Sequence, residues 1–155
     1  MRAGFLALCE SLDEAKLQYT RPPDEPVVFV RFQRPAGRVD AIVQWHPGDV
    51  VEWAMAWPFL VPPHRDTAVM QALVTVNMML HVGRFDFDVP NRRLVFRAFH
   101  VALDQNMSQS QVEFFVSSGL FVFDQLYLPL QDVCLRDGDP ASPAATLRHA
   151  TGGQL

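Results

Sequence analysis

The sequence has no excess of positive charge and no long apolar run, and each absence argues against a class of protein. Lys16 is the single lysine among thirteen basic residues, and seventeen acidic residues bring the net charge to -4. A chain of this charge repels nucleic-acid phosphates at long range. No apolar stretch approaches the roughly 18–20 residues of a transmembrane helix, and the run "FLALC" is shorter than the roughly 7–15 apolar residues of a signal peptide. We therefore expect a cytoplasmic protein that does not enter a membrane.

Cysteine is also scarce. Cys9 and Cys134 lie far apart in the chain, and neither has a second Cys or a His at metal-ligand spacing. We predict two buried, reduced thiols, which suits the cytosol, and no metal site. The glycines never form the phosphate-binding patterns G-x-G-x-x-G or G-x-x-x-x-G-K, so no cofactor is predicted either.

The composition that remains is that of one folded domain. A length of 155 residues lies within the usual range of about 100–200 for a single domain. Hydrophobic residues make up 49% of the chain and charged residues 19%, which is somewhat apolar for a domain of this size. We expect part of this apolar surface to face another chain.

The periodicity of apolar residues predicts an α+β fold. Apolar side chains recur at helical spacing in 3–19, 64–82 and 107–135, and β-branched or alternating runs occupy 27–33, 38–45, 50–61 and a hairpin within 81–101. The order α-β-β-β-α-β-β-α favours a five-stranded antiparallel sheet with the helices packed mainly on one face. We place the domain at 1–135 and predict a disordered C-terminal tail over 136–155, which is rich in Pro, Gly and small residues.

The hairpin segment "HVGRFDFDVPNRRLVFRAFHV" contains the one string that suggests chemistry. Asp86 and Asp88 lie one residue apart, with His81 and His100 near the ends of the segment. This pattern allows a metal-dependent enzyme that uses the two aspartates with a histidine. A D-x-D string is nevertheless a weak signal, because any strand with an acidic outer face contains one.

Pairing the residues of this hairpin favours a structural explanation. With Pro90 in a four-residue turn over 89–92, paired residue numbers sum to 181 and Phe85 lies opposite Phe96. Asp88 then faces Arg93, and Asp86 shares a face with Arg84 and Arg97. Guanidinium groups would neutralise both carboxylates before a cation could bind. The same arginines leave a second alternative, a nucleic-acid or DNA-maintenance accessory protein.

Two apolar surpluses point to protein contacts. The segment 45–59 contains an aromatic cluster that either completes the core or forms a partner-binding surface, where Trp is favoured: Trp45, Trp53, Trp57 and Phe59. The helix within 64–82 has a second apolar stripe beside its core stripe, and a helix apolar on two sides is normally buried on two sides. Its candidate dimer-interface residues are Met70, Val74, Asn77 and Met78.

Residues 69–133 resemble the YbjN domain of bacterial proteins. The resemblance rests on Asn77 in a helix, on Gly83-Arg84-Phe85 at the start of a hairpin, on Arg97 in its return strand, and on Asp124 and Pro129 near the end of the next helix. Residues 5–61 match in element order alone. The resemblance identifies patterned apolar positions and no catalytic signature.

The resemblance implies a binding protein. YbjN domains are similar in fold to type III secretion chaperones, which work as homodimers and hold extended segments of a client protein on apolar patches. Family members are described as candidate sensory-transduction regulators without an established biochemical activity. We therefore expect a homodimeric, non-enzymatic, chaperone-like adaptor or regulator with an unidentified client, without direct binding of nucleic acid or membrane.

Overall fold

The computed structural model describes residues 3–152. The helices are α1 (Ala3–Glu14), α2 (Asp66–Met79), α3 (Gln109–Leu135) and α4 (Ser142–Ala150). The strands are β1 (Tyr19–Thr20), β2 (Val27–Arg34), β3 (Gly37–His46), β4 (Val50–Ala56), β5 (Arg84–Asp88) and β6 (Arg93–Val101). Within residues 3–152, none of the helices is both long and apolar enough to cross a lipid bilayer.

The predicted α+β class is confirmed, and the sheet has one more strand than expected. All neighbouring strands are antiparallel, in the order β1-β2-β3-β4-β6-β5. The added strand is the two-residue β1, whose Tyr19 lies opposite Val30. The first helix was expected to extend to residue 19 but ends at Glu14, because Lys16 adopts a left-handed backbone with φ of 57°. The chain then turns back and pairs with the sheet.

The helices cover one face of this sheet, as predicted. Side chains alternate along each strand, and those on the covered face are buried while their neighbours in sequence are largely exposed. Trp53 of β4 is fully buried beneath α3. Gly119 allows this close approach, since a Cβ atom there would lie 2.8 Å from the Trp53 indole nitrogen. No helix within residues 3–152 covers the opposite face of the sheet.

The long helix α3 begins with a capping box formed by Ser108 and Gln111. The Gln111 N–H donates to the Ser108 hydroxyl at 3.3 Å, and the Ser108 N–H donates to the Gln111 side-chain oxygen at 2.8 Å. This reciprocal pair satisfies two amide groups that a helix start otherwise leaves without partners. The helix continues through Pro129 to Leu135.

The predicted disordered tail over 136–155 is wrong for most of its length. Helix α4 lies within it and packs against α2 and α3 through Pro143, Ala144 and Leu147. The segment before α4 is held by Arg65, which donates to the Val133 carbonyl at 2.8 Å and pairs with Asp137 at 2.6 Å. The folded domain therefore extends beyond 135, and residues 153–155 lie outside the described residues.

The hairpin of β5 and β6 has the predicted register. Phe85 lies opposite Phe96, and Asp88 lies opposite Arg93. The outer edge of β5 is held by α2, because the Asn77 amide donates to the Phe85 carbonyl at 2.9 Å and accepts from the Phe85 N–H at 2.7 Å. These two bonds satisfy backbone groups that an edge strand would otherwise offer to another chain.

We expect Asn77→Ala to destabilise the domain. The change removes both bonds and leaves the Phe85 backbone groups part-buried without these partners, which costs about 1–3 kcal/mol of unfolding free energy. Urea denaturation measures this loss. Gln71→Ala, at an exposed position on the same helix, is the control and should change stability by less than about 0.5 kcal/mol. Equal midpoints for the two variants would contradict the role of Asn77.

Gly83 and Gly48 provide a matched pair for a second prediction. Both have left-handed backbones, with φ of 77° and 82°. A Cβ at Gly83 would lie 2.7 Å from the Arg97 carbonyl, whereas a Cβ at Gly48 would have no neighbour within 4 Å. Gly48→Ala should therefore cost roughly 1–2 kcal/mol for the backbone alone, and Gly83→Ala should cost clearly more. A thermal melt that ranks them in the opposite order would refute this reading of the turn before β5.

Candidate functional site

The aromatic cluster predicted as a possible partner surface lies in the core. Trp45, Trp53 and Trp57 are at most 2% exposed. Phe59 is partly buried, and its ring centre lies 6.0 Å from that of Tyr127. Large aromatic side chains on the helix-covered face fill the space between sheet and helices, so the contact-surface hypothesis fails for the three tryptophans.

The helix-free face of the sheet contains a trough, which is a second candidate site. It encloses about 980 Å³. Its floor is the short side chains of Ala54 and Ala56 on β4, and its walls come from β1, β2 and β3 on one side and β6 on the other. Phe29 and Ile42 contribute exposed apolar surface to one wall. Because neighbouring strands lie about 4.8 Å apart, the two flanking strands leave roughly 10 Å, which is the width of one segment of chain.

A nearly buried carboxylate lies in the trough. The Glu52 side chain points to the helix-free face yet is only 8% exposed as a residue. It accepts a hydrogen bond from Arg97 and lies 2.6 Å from the His46 ring nitrogen. Arg97 also pairs with Asp86 at 3.2 Å. Each carboxylate oxygen of Glu52 thus has its own hydrogen-bonding partner, as a buried polar group requires.

Asp86 has the arginine partners that the pairing predicted, whereas the hydrogen bonds of Asp88 come from Asn91 in the turn and not from the predicted Arg93. Asp86 pairs with Arg84 and with Arg97, each at 3.2 Å. Hydrogen bonds from the Asn91 side chain at 2.8 Å and from its backbone N–H at 3.2 Å lower the pKa of Asp88. Both carboxylates are thus engaged by donors within their own hairpin.

The histidines near the hairpin lie away from these aspartates. His100 projects from β6 toward the helix-covered face, since it lies opposite buried Val51, whereas Asp86 and Asp88 project to the other face. His81 lies past the end of α2. Within residues 3–152, no three His, Cys, Asp or Glu side chains are close enough together to hold a metal ion. The structure does not assemble the set that the enzyme alternative requires.

The candidate dimer residues of α2 divide into two groups. Met70, Val74 and Met78 form one exposed apolar row, and Met78 is 83% exposed. Asn77 points toward β5, where its side chain forms two hydrogen bonds with the Phe85 backbone. We define the exposed α2 row as Met70, Val74 and Met78. No other part of residues 3–152 covers it.

The residues of the trough were missed in the sequence, although a signal for them exists. In "VVEWAMAW" large and small residues alternate, so the strand that buries Trp53 and Met55 presents Ala54 and Ala56 to the other face. The alternation was visible. What was not visible is that four further strands contribute walls around these alanines.

Comparisons with known proteins identify the family. The crystal structure titled "Crystal structure of YbjN, a putative transcription regulator from E. coli" is similar in fold, with a TM-score of 0.56 over 97% of this chain and 93% of that chain, at 12% sequence identity. A comparison with curated proteins finds no match. The model of the YbjN family, described as "Putative bacterial sensory transduction regulator", matches residues 7–132. The chain therefore belongs to the YbjN family.

Proposed function

We propose that this protein is a non-enzymatic regulator or adaptor that holds a segment of another protein in the trough and acts as a homodimer through the exposed α2 row. The observation that carries the proposal is the trough itself. Its central strand presents the short side chains of Ala54 and Ala56 beside the carboxylate of Glu52, and no element within residues 3–152 covers it. A face of this size that combines apolar surface with arranged charges is typical of a protein-contact site.

The charges of the helix-free face indicate the chemistry of the segment. Five arginines and four acidic residues point to this face, although the whole chain has thirteen basic and seventeen acidic residues. The face is therefore more basic than the rest of the molecule. An apolar segment with an acidic residue beside it would bury Ile42 and Phe29 and place its carboxylate near Arg93 or Arg97, both of which line the trough.

The exposed face of α2 supports pairing with a second copy. From Thr67 to Met79 the helix has no charged residue, which is unusual for a surface helix. Met70, Val74 and Met78 follow one another at four-residue spacing, so the row is about 12 Å long. A two-fold axis through Val74 would place Met70 of one copy against Met78 of the other without opposing like charges.

The family description supports a regulatory role without catalysis, since it names a regulator and no reaction. We also propose a cytosolic location. It is supported by Cys9 and Cys134, which are free and buried as predicted, because such thiols are typical of reducing compartments. Burial raises the pKa of the Cys134 thiol to about 12, so this cysteine is a structural residue and not a nucleophile.

Filling the trough should abolish segment binding. Peptides selected from a random phage-display library on the wild-type protein can be labelled, and their dissociation constants measured by fluorescence anisotropy. We expect Ala54→Phe to weaken binding at least tenfold, which is about 1.4 kcal/mol, because the new ring occupies the floor. Phe is also a good strand residue, so the fold should persist.

Gln33→Phe is the matched control for this experiment. It adds the same side chain to the same face of the sheet, at an exposed position of β2 that does not line the trough. Its affinity for the peptides should remain within about twofold of the wild-type value. If both variants bind like the wild type, or if no peptide is selected at all, the trough is not the binding site.

Charging the exposed α2 row should dissociate the dimer. Val74→Asp would place two carboxylates at the centre of the two-fold contact, where desolvation and like-charge repulsion oppose association. Light scattering after gel filtration at micromolar concentration should then give the mass of one chain instead of two. Leu128→Asp, at an exposed leucine of α3, should leave the mass unchanged. A wild-type protein that is itself monomeric would refute this proposal.

A further inference from the structure

A second concave region lies on the helical side of the sheet. It is a cleft of about 400 Å³ between the end of α2, the middle of α3 and α4. Its walls are mainly apolar, and Val122 and Leu147 at its base are buried. Two aromatic side chains of α3 remain largely exposed at its edge, with Phe114 at 61% and Phe121 at 43%.

These two phenylalanines form the walls of a notch on α3. They are seven residues apart, which is two helical turns, so they lie on the same side of the helix and about 10.5 Å apart along its axis. Ser117 and Ser118 lie between them and are too short to fill the gap. Both hydroxyls donate to the Phe114 carbonyl, at 3.1 and 2.7 Å. Their hydrogens are thus used, while their oxygens can still accept a hydrogen bond.

The spacing of the notch suits an aromatic ring. A ring midway between Phe114 and Phe121 would lie about 5 Å from each, within the roughly 4.5–7 Å at which aromatic rings pair. The volume of the cleft also falls within the range of about 300–1,000 Å³ that is usual for small-molecule sites. The notch can therefore accept a compact molecule of one to three rings.

The lining further restricts the ligand to an uncharged one. Of the residues that line the cleft, His81 is the single ionisable one, and it is exposed. A carboxylate or an ammonium group would lose its hydration here without gaining an ion pair. A hydrogen-bond donor would be accommodated, because the Ser117 and Ser118 oxygens accept.

We propose that this cleft binds a small, uncharged aromatic molecule between Phe114 and Phe121, with an N–H or O–H group that donates to a serine hydroxyl. The proposal rests on the cleft alone. It requires neither the homodimer nor the trough, which lies on the opposite face of the sheet.

The test uses N-phenyl-1-naphthylamine, an uncharged aromatic dye with one N–H group whose fluorescence rises in apolar surroundings. We expect saturable binding of one dye per chain to the full protein. Ser118→Phe should weaken this binding at least tenfold, because the new ring fills the notch. Glu113→Phe adds the same ring at an exposed position of α3 outside the cleft, and it should keep the wild-type affinity within twofold.

A second variant separates loss of the notch from loss of the fold. Ser118 is half-buried, so a large side chain there could also disturb the packing of α3. Phe114 is exposed, so Phe114→Ala should leave the fold intact while removing one aromatic wall. Dye affinity should fall by roughly three- to tenfold. Leu128→Ala, which truncates another exposed apolar residue of α3, should leave it unchanged.

Three results would overturn the proposal. Binding that is absent or does not saturate would do so, as would equal affinities in Phe114→Ala and Leu128→Ala. Dye binding that appears only after Val74→Asp separates the two copies would mean that a second copy occupies the cleft. Ala54→Phe should leave dye binding unchanged, so failure at the trough and failure at the cleft can be told apart.

Discussion

The close packing of α3 on the central strand β4 determines the arrangement of the rest of the domain. Gly119 brings the helix so near that any larger side chain would strike the Trp53 indole. Trp57 continues the same layer, with its ring 5.2 Å from that of Phe123. The indole nitrogens of both tryptophans lack a hydrogen-bond partner within residues 3–152. Desolvating these two N–H groups is unfavourable, so the burial of the apolar ring surfaces must contribute a larger stabilising free energy. The helices therefore cover this face of the sheet.

The helix-free face follows from the same alternation. Where β4 turns Trp53 inward it turns Glu52 and Ala54 outward, and none of the helices in the described residues lies on that side. A covering helix from the same chain would have to desolvate the ion pairs that link Arg97 with Glu52 and Asp86, and apolar groups could not replace their hydration. A partner that brings its own polar groups meets no such obstacle. The buried carboxylate thus helps to keep this face accessible, as the proposed binding of a segment requires.

The sequence predicts the local structure of this domain better than its surfaces. The register of β5 and β6 followed from Pro90 and the alternation of Phe and Asp, because both signals lie within one hairpin. Helix α4 was missed, since it buries only Pro143, Ala144 and Leu147 and is stable through a groove that α2 and α3 create together. The trough was missed for a related reason. The alanines of β4 are visible in the sequence, but a concave surface depends on side chains from strands that are distant in the chain.

The uncovered surfaces differ in charge, and charge decides what each can select. The exposed α2 row lies on a helix face without charges, so it cannot discriminate among apolar partners by electrostatics and is best matched by a surface of the same kind, such as a second copy. The trough contains arginines that are fixed by carboxylates, so the segment that we propose for it would be acidic and not basic. The cleft beside α4 has neither pattern. Its aromatic walls and the accepting oxygens of Ser117 and Ser118 suit an uncharged ring with one donor, which distinguishes the proposed small ligand from the two proposed protein contacts.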